Sequence, residues 1–198
     1  MFTHSPRHIL ATCALMVIPA IAPAQTARTG SDVPFPAPAI LEAGLAGGWH
    51  GALAYRDYQS DKMVELPVST QVIALADQAT ILDISTFNDG PKRGSVIITT
   101  AYLFDAKAGT VENIALEKGR PIDRYVDSVK VIDYTDPTHW IIAYQHDGID
   151  GKAPALIRTT EVRDGDSFAS EEDVRPPDSS DKDWKLRNKT MLKRDTSK

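Results

Sequence analysis

Three histidines downstream of residue 24 are the side chains best suited to proton transfer or metal binding. They are His50, His139 and His146, and they belong to three distant segments. None stands in an H-E-x-x-H pattern or beside a paired C-x-x-C, so their spacing does not predict a zinc site. Haem ligation by one of them has no distinct motif either. We therefore expect neither a metal nor a cofactor.

Acid–base chemistry has two further sources. His146 and Asp147 are adjacent, but neighbours on a strand point to opposite faces, so they cannot form a dyad there without a bulge. Asp57, Asp83 and Glu161 would form an acid–base pair if two of them lay inside the fold, although strand carboxylates are more often at rims or outside.

Nucleophilic catalysis has no marker in this chain. There is no G-x-S-x-G elbow, and Cys13 is the single cysteine. We assign no catalytic residue and favour a protein that is not an enzyme.

Composition excludes other classes of function. The chain has 198 residues, of which 42% are hydrophobic and 25% charged, as in a soluble globular domain. The net charge of −5 argues against nucleic-acid binding, which needs a dense basic surface. A single cysteine also excludes a disulfide framework.

The first 24 residues have the pattern of a secretory signal peptide. Arg7 precedes the apolar run Ile9–Ile18, and Ala22 and Ala24 form an A-x-A site that predicts cleavage before Gln25. The run is shorter than the roughly 20 residues that a transmembrane helix needs. We expect a periplasmic or secreted protein whose mature chain has no transmembrane span.

The rest of the chain divides into a tether and one domain. Residues 25–44 form a proline-rich tether with a helical turn near Ala39–Gly44, and residues 45–195 form the domain. Short period-two segments separated by turn residues predict an all-β, antiparallel up-and-down barrel of about eight to ten strands. Pro67 must bend, break or occupy an edge of its strand, and Ser170–Asp183 is predicted to be a solvated loop before a final strand, Trp184–Arg194.

Two terminal motifs resemble those of lipocalin-like, calycin-type barrels. Gly47-Gly48-Trp49 matches the G-x-W that opens the first strand in that group, and Arg194 matches the arginine that closes the last one. The segments Tyr55–Tyr58 and Leu66-Pro67 also look like uncharacterised secreted bacterial lipocalin-like proteins. The resemblance implies that Trp49 and Arg194 pack together to close one barrel end, where a guanidinium on an indole contributes roughly 0.5–2 kcal/mol.

Alternation along the strands predicts the inward-facing side chains. An interior of this size either fills with side chains or holds one small ligand. The candidate ligand-binding residues are Tyr55, Tyr102, Trp140, Tyr144 and His146. We expect a partly apolar small molecule as partner. The alternative is a filled barrel that serves as a structural or interaction module and contacts an envelope protein.

Overall fold

The computed structural model describes residues 34–57 and 59–196. Within them α1 spans Pro38–Ala43 and α2 spans Gly90–Arg93. The strands are β1 (Gly47–Arg56), β2 (Met63–Ala74), β3 (Thr80–Asn88), β4 (Ser95–Asp105), β5 (Thr110–Glu117), β6 (Asp123–Asp136), β7 (His139–Asp150), β8 (Ala153–Asp164), β9 (Ser167–Arg175) and β10 (Lys185–Arg194). The signal peptide predicted at 1–24 and the tether residues 25–33 lie outside the described residues.

The ten strands form one closed antiparallel barrel. Each strand pairs with the next along the chain, and β1 pairs with β10 to complete the cylinder. Closure removes the unpaired edges that an open sheet would expose. The predicted all-β, up-and-down barrel is confirmed, with ten strands. No helix in the described part of the chain has the length and apolarity needed to cross a membrane.

The prediction of a solvated loop over Ser170–Asp183 was wrong in its first half, which belongs to β9. The acidic residues of this strand lie on both faces. Glu171 faces outward, where it forms an ion pair with Lys189 of β10. Glu172 faces the lumen. The acidic composition of this segment predicted a loop. It forms a strand because the carboxylates on its outer face are paired with cations and those on its inner face line a polar interior.

Pro67 interrupts neither β2 nor the barrel. It lies opposite Ala52 of β1, and the pairing of β2 with β3 starts only at Val68 and Phe87. Pro67 therefore has a strand partner on one side alone, which is the edge-like position that a proline tolerates because it has no N–H to donate.

Trp49 and Arg194 meet at one end of the barrel. Trp49 is 1% exposed, and the Arg194 guanidinium carbon lies 4.3 Å from the centre of its ring. Arg194 also donates from Nη1 to the carbonyl of Ala46 and from Nη2 to that of Gly44, both at 2.8 Å. The indole Nε1 donates to the carbonyl of Leu45 at 2.7 Å. One arginine thus ties the last strand to the segment that leads into the first.

Two glycines permit this closure. Gly47 has φ of 125°, in a region that L side chains rarely adopt, and a Cβ there would lie 3.1 Å from Nη1 of Arg194. At Gly51 a Cβ would lie 1.9 Å from the carbonyl oxygen of Met191 on β10. A larger residue at Gly51 would push β1 away from β10, whereas at Gly47 it would strain the backbone.

Helix α1 covers the same end and contributes to the core. Leu41 of the helix and Leu45 just after it are 2% and 4% exposed, and both pack into the main hydrophobic cluster with Trp49. The helix begins with Pro38 at its first turn and ends at Gly44. Its position also carries Glu42 into the barrel interior.

Replacing Arg194 tests the closure. We expect Arg194→Ala to lower the free energy of unfolding by about 2–4 kcal/mol, because it removes two charge-assisted hydrogen bonds and the contact with Trp49. Urea unfolding followed by tryptophan fluorescence measures the change. Lys185→Ala, at an exposed position of the same strand, is the matched control and should stay within about 0.5 kcal/mol of wild type. Equal stability of the two variants would contradict a closing role for Arg194.

Candidate functional site

The barrel lumen contains two adjoining cavities. The first has a volume of about 160 Å³ and the second of about 170 Å³. Both are bordered by Tyr102, Tyr144, Glu161 and Ser170. The interior is therefore open in part, and a molecule in the first cavity would reach the boundary of the second.

The first cavity is lined by both apolar and polar side chains, which we call its apolar wall and its polar wall. The apolar wall includes Val68, Val72, Ile81, Phe87, Phe104 and Leu192. The polar wall carries three carboxyl groups, those of Glu42 on α1, Asp83 on β3 and Glu161 on β8. These residues are distant in sequence, and barrel closure together with the placement of α1 brings them together.

Two hydroxyl groups donate to this carboxyl cluster. The Tyr144 hydroxyl donates to Oε1 of Glu42 at 2.9 Å. The Ser85 hydroxyl donates to Oδ1 of Asp83 at 2.8 Å and lies 2.7 Å from Oγ1 of Thr70. Glu42 thus receives a donor from β7, and Asp83 receives one from its own strand, two residues along.

Burial makes ionisation of the cluster unfavourable. It raises the pKa of Asp83 from 3.8 to about 6, against the lowering effect of the Ser85 hydrogen bond. Burial also raises the pKa of Glu42. The pKa of Glu161 is raised well above its usual value by burial and then by the charge of Glu42, to which it is hydrogen-bonded. Two carboxyl groups can bond in this way only when they share a proton.

Arg163 is the cation that acts on Glu42, but its hydrogen bonds go elsewhere. It is 7% exposed and donates from Nη1 to the carbonyl of Pro137 and from Nε to that of Gly165. Burial, followed by the charge of Arg194, lowers the pKa of this guanidinium. Arg163 lowers the pKa of Glu42, but burial of the carboxyl group raises that pKa by more.

The second cavity is polar and adjoins a hydrogen-bonded chain across three strands. Nδ1 of His146 on β7 lies 2.6 Å from Oδ1 of Asp127 on β6. Oδ2 of Asp127 accepts from Nδ2 of Asn113 on β5 at 2.8 Å. The Tyr125 ring stacks on His146 with centroids 4.3 Å apart. This arrangement holds the imidazole in one orientation.

The five candidate ligand-binding residues separate into two groups. Tyr102 and Tyr144 border both cavities. Tyr55, Trp140 and His146 border neither: Tyr55 is half-buried on β1, Trp140 packs its ring edge-on against Phe168 in the core, and His146 is engaged with Asp127.

Strand carboxylates were expected at rims or outside the barrel, and for two of the three residues considered this expectation was wrong. Asp83 and Glu161 lie inside the barrel. Asp57 instead follows β1 in a turn, where its carboxylate accepts from the backbone N–H groups of Gln59 and Ser60. Those hydrogen bonds and the Ser60 hydroxyl lower its pKa.

The histidines do not converge. His50 bonds to Asp195, and His139 to Asp136 and Asp164, all at partly or largely exposed positions. Within the described residues no group of three or more His, Cys, Asp or Glu side chains has the arrangement of a metal site.

Sequence reasoning missed Glu42 and the polar residues of the second cavity. Glu42 lies in a segment that was interpreted as a tether, and nothing in its local pattern indicated burial. The inward positions of Asn113 and Asp127 could have been predicted, because each lies two residues from an apolar residue on the same face of its strand, Val111 and Val129. His146 was correctly considered for pairing with an aspartate, but its partner is Asp127 on the next strand rather than Asp147.

Comparison with known proteins supports the fold and goes no further. No protein-family model and no curated protein matches the chain. Among solved structures, the crystal structure of Rv2717c from M. tuberculosis is similar, with a TM-score of 0.54 and 14% sequence identity. The similarity covers 82% of this chain and 100% of that one.

The buried Asp83 makes stability depend on pH. Because its pKa is higher in the folded state, the unfolded chain ionises first as pH rises from 3.8 to about 6, and folding stability falls through that range. Relative to wild type, we expect the free energy of unfolding of Asp83→Asn to be about 2–3 kcal/mol higher at pH 7.5 than at pH 4, since one pKa unit corresponds to about 1.4 kcal/mol. Urea unfolding at both pH values measures this difference, and Asp178→Asn in the exposed loop after β9 is the control. A pH profile of Asp83→Asn that parallels wild type would contradict the burial of an ionisable group.

Proposed function

We propose that this protein is an exported, lipocalin-like binding protein that holds one small, partly apolar molecule in its lumen. The observation that carries the proposal is the first cavity, which joins an apolar wall to a few polar groups inside a closed barrel. Binding pockets of proteins have this combination, in which apolar surface supplies affinity and placed polar groups supply orientation.

The size of the cavity supports a ligand of about one ring with a short substituent. Its volume of about 160 Å³ is close to that of an engineered apolar cavity of about 150 Å³ that takes up benzene. Burial of the ligand's apolar surface would contribute about 25 cal/mol per Å². Tyr102 and Tyr144 border both cavities and would orient the polar end of the ligand.

The proposal of export comes from the sequence. The signal-like segment at residues 1–24 and the absence of cysteine after Cys13 suit a periplasmic or secreted protein. The lipocalin-like assignment likewise depends on the G-x-W motif and Arg194, whose packing against Trp49 supports it.

A second candidate function is an interaction module of the cell envelope. The observation that favours it is a set of exposed apolar side chains on the outer face of neighbouring strands. Ile97 and Leu103 of β4 are 54% and 39% exposed, and Leu116 of β5 is 47% exposed. Exposed apolar surface of this kind marks contact sites when it is contiguous.

Blocking the cavity from within tests the proposed function. Thr190 of β10 borders the first cavity, so Thr190→Phe would fill it. We expect 2-phenylethanol to bind wild type, as measured by isothermal titration calorimetry, and to bind Thr190→Phe at least tenfold more weakly. The matched control is Met191→Phe, because Met191 is 52% exposed on the opposite face of the same strand.

The outcomes separate the two candidates. Equal binding by both variants would place the probe outside the lumen. Native mass spectrometry of protein purified from its own host should also show a bound small molecule. A ligand-free mass, together with no binding of the probe to wild type, would favour the interaction module.

A further inference from the structure

We infer that the ligand carries an organic ammonium group, which is held at the polar wall of the first cavity by Glu161 and Asp83, with Glu42 on the same wall. This inference rests on the proposed function, because it needs a small molecule in the lumen. It adds a chemical class to that molecule: a primary amine on a compact apolar body.

The polar wall contains a hydrogen-bond acceptor that lacks a donor in the described part of the chain. Oε2 of Glu161 is inaccessible to solvent and has no hydrogen-bond partner among the described residues. Glu161 borders both cavities, so a donor from a bound molecule would approach this side chain from the lumen. Buried polar atoms are nearly always satisfied, and one that is not points to a missing partner.

The polar wall has few donors for its carboxyl oxygens. Three carboxyl groups share this wall, and the side chains that donate to them are the hydroxyls of Tyr144 and Ser85. Arg163 is committed to backbone carbonyls. An ammonium group brings three N–H donors and a positive charge that favours the ionised carboxylate, and bonds between ionised partners are roughly twice as strong as neutral ones. A neutral hydroxyl would supply a hydrogen bond but no charge to offset the burial of a carboxylate.

Aromatic side chains line the cavity together with the carboxyl groups. The rings of Phe87, Tyr102, Phe104 and Tyr144 border the same cavity as the carboxyl groups. Aromatic faces attract ammonium cations, most strongly when the cation is desolvated. A cavity that combines aromatic rings with acids suits an organic cation better than a neutral apolar molecule, which gains nothing from the acids.

The apolar wall indicates that the cation is part of a larger molecule. Val68, Val72 and Leu192 also line the cavity and offer no ligand for an inorganic ion. The carboxyl groups do not form a metal-type cluster in the described residues. A ring in the apolar part and an ammonium group near Glu161 would use both walls at once.

Three probes of one shape test the inference by isothermal titration calorimetry at pH 7.5. They are 2-phenylethylamine, 2-phenylethanol and 3-phenylpropanoate, which carry a cationic, a neutral and an anionic end. We expect wild type to bind the amine at least tenfold more tightly than the alcohol, and the anion more weakly than either. Glu161→Gln should lower affinity for the amine at least tenfold and change affinity for the alcohol less than threefold.

Two further variants complete the experiment. Glu171→Gln, on the outer face of β9, is the control and should leave both affinities unchanged. Asp83→Asn should also reduce the preference for the amine and serves if Glu161→Gln fails to fold, as judged by circular dichroism. Equal affinity of wild type for amine and alcohol, a preference for the anion, or an amine preference that survives in folded Glu161→Gln and Asp83→Asn would overturn the inference while leaving the proposed function in place. Wild type that binds none of the three probes would overturn both.

Discussion

The pairing of β1 with β10 is the constraint on which the other features of this structure depend. It converts ten antiparallel strands into a cylinder and gives every strand an inner and an outer face. Arg194 secures this closure by contacting Trp49 and two carbonyls of the segment that follows α1. Gly51 allows the two strands to approach closely. Because α1 is tied to the same end, the contacts that close the barrel also fix the position of Glu42.

A closed barrel with acids in its lumen combines stability with an interior that is costly to ionise. The Trp49 end contributes the hydrophobic cluster, whereas Glu42, Asp83 and Glu161 oppose ionisation and have raised pKa values. Groups with raised pKa values are concentrated at functional sites of proteins. The polar wall is the part of the lumen on which the proposed ligand depends.

Strand alternation predicted much of the interior and failed where a residue's neighbours come from elsewhere. Tyr102 and Tyr144 were placed correctly because period-two patterns are local. The inward positions of Asp83 and Glu161 were not predicted, because strand carboxylates are more often found at rims or outside. Glu42 could not be predicted, since its burial depends on the end of the barrel that covers it. The hydrogen-bond partner of His146 could not be predicted from the local pattern either. The register between β6 and β7 brings Asp127 next to it.

The sequence by itself determined the class of fold and the turns, because hydrophobic alternation, glycine and proline act over a few residues. The contact of Trp49 with Arg194 at the closing end was implied by the resemblance of the two terminal motifs to lipocalin-like barrels. The sequence also determined the signal-like segment, which is a property of composition. Only the tertiary structure decided that the interior is partly open and acidic. Strand register, barrel diameter and the position of α1 set that outcome, and each of these depends on contacts between residues far apart in the chain.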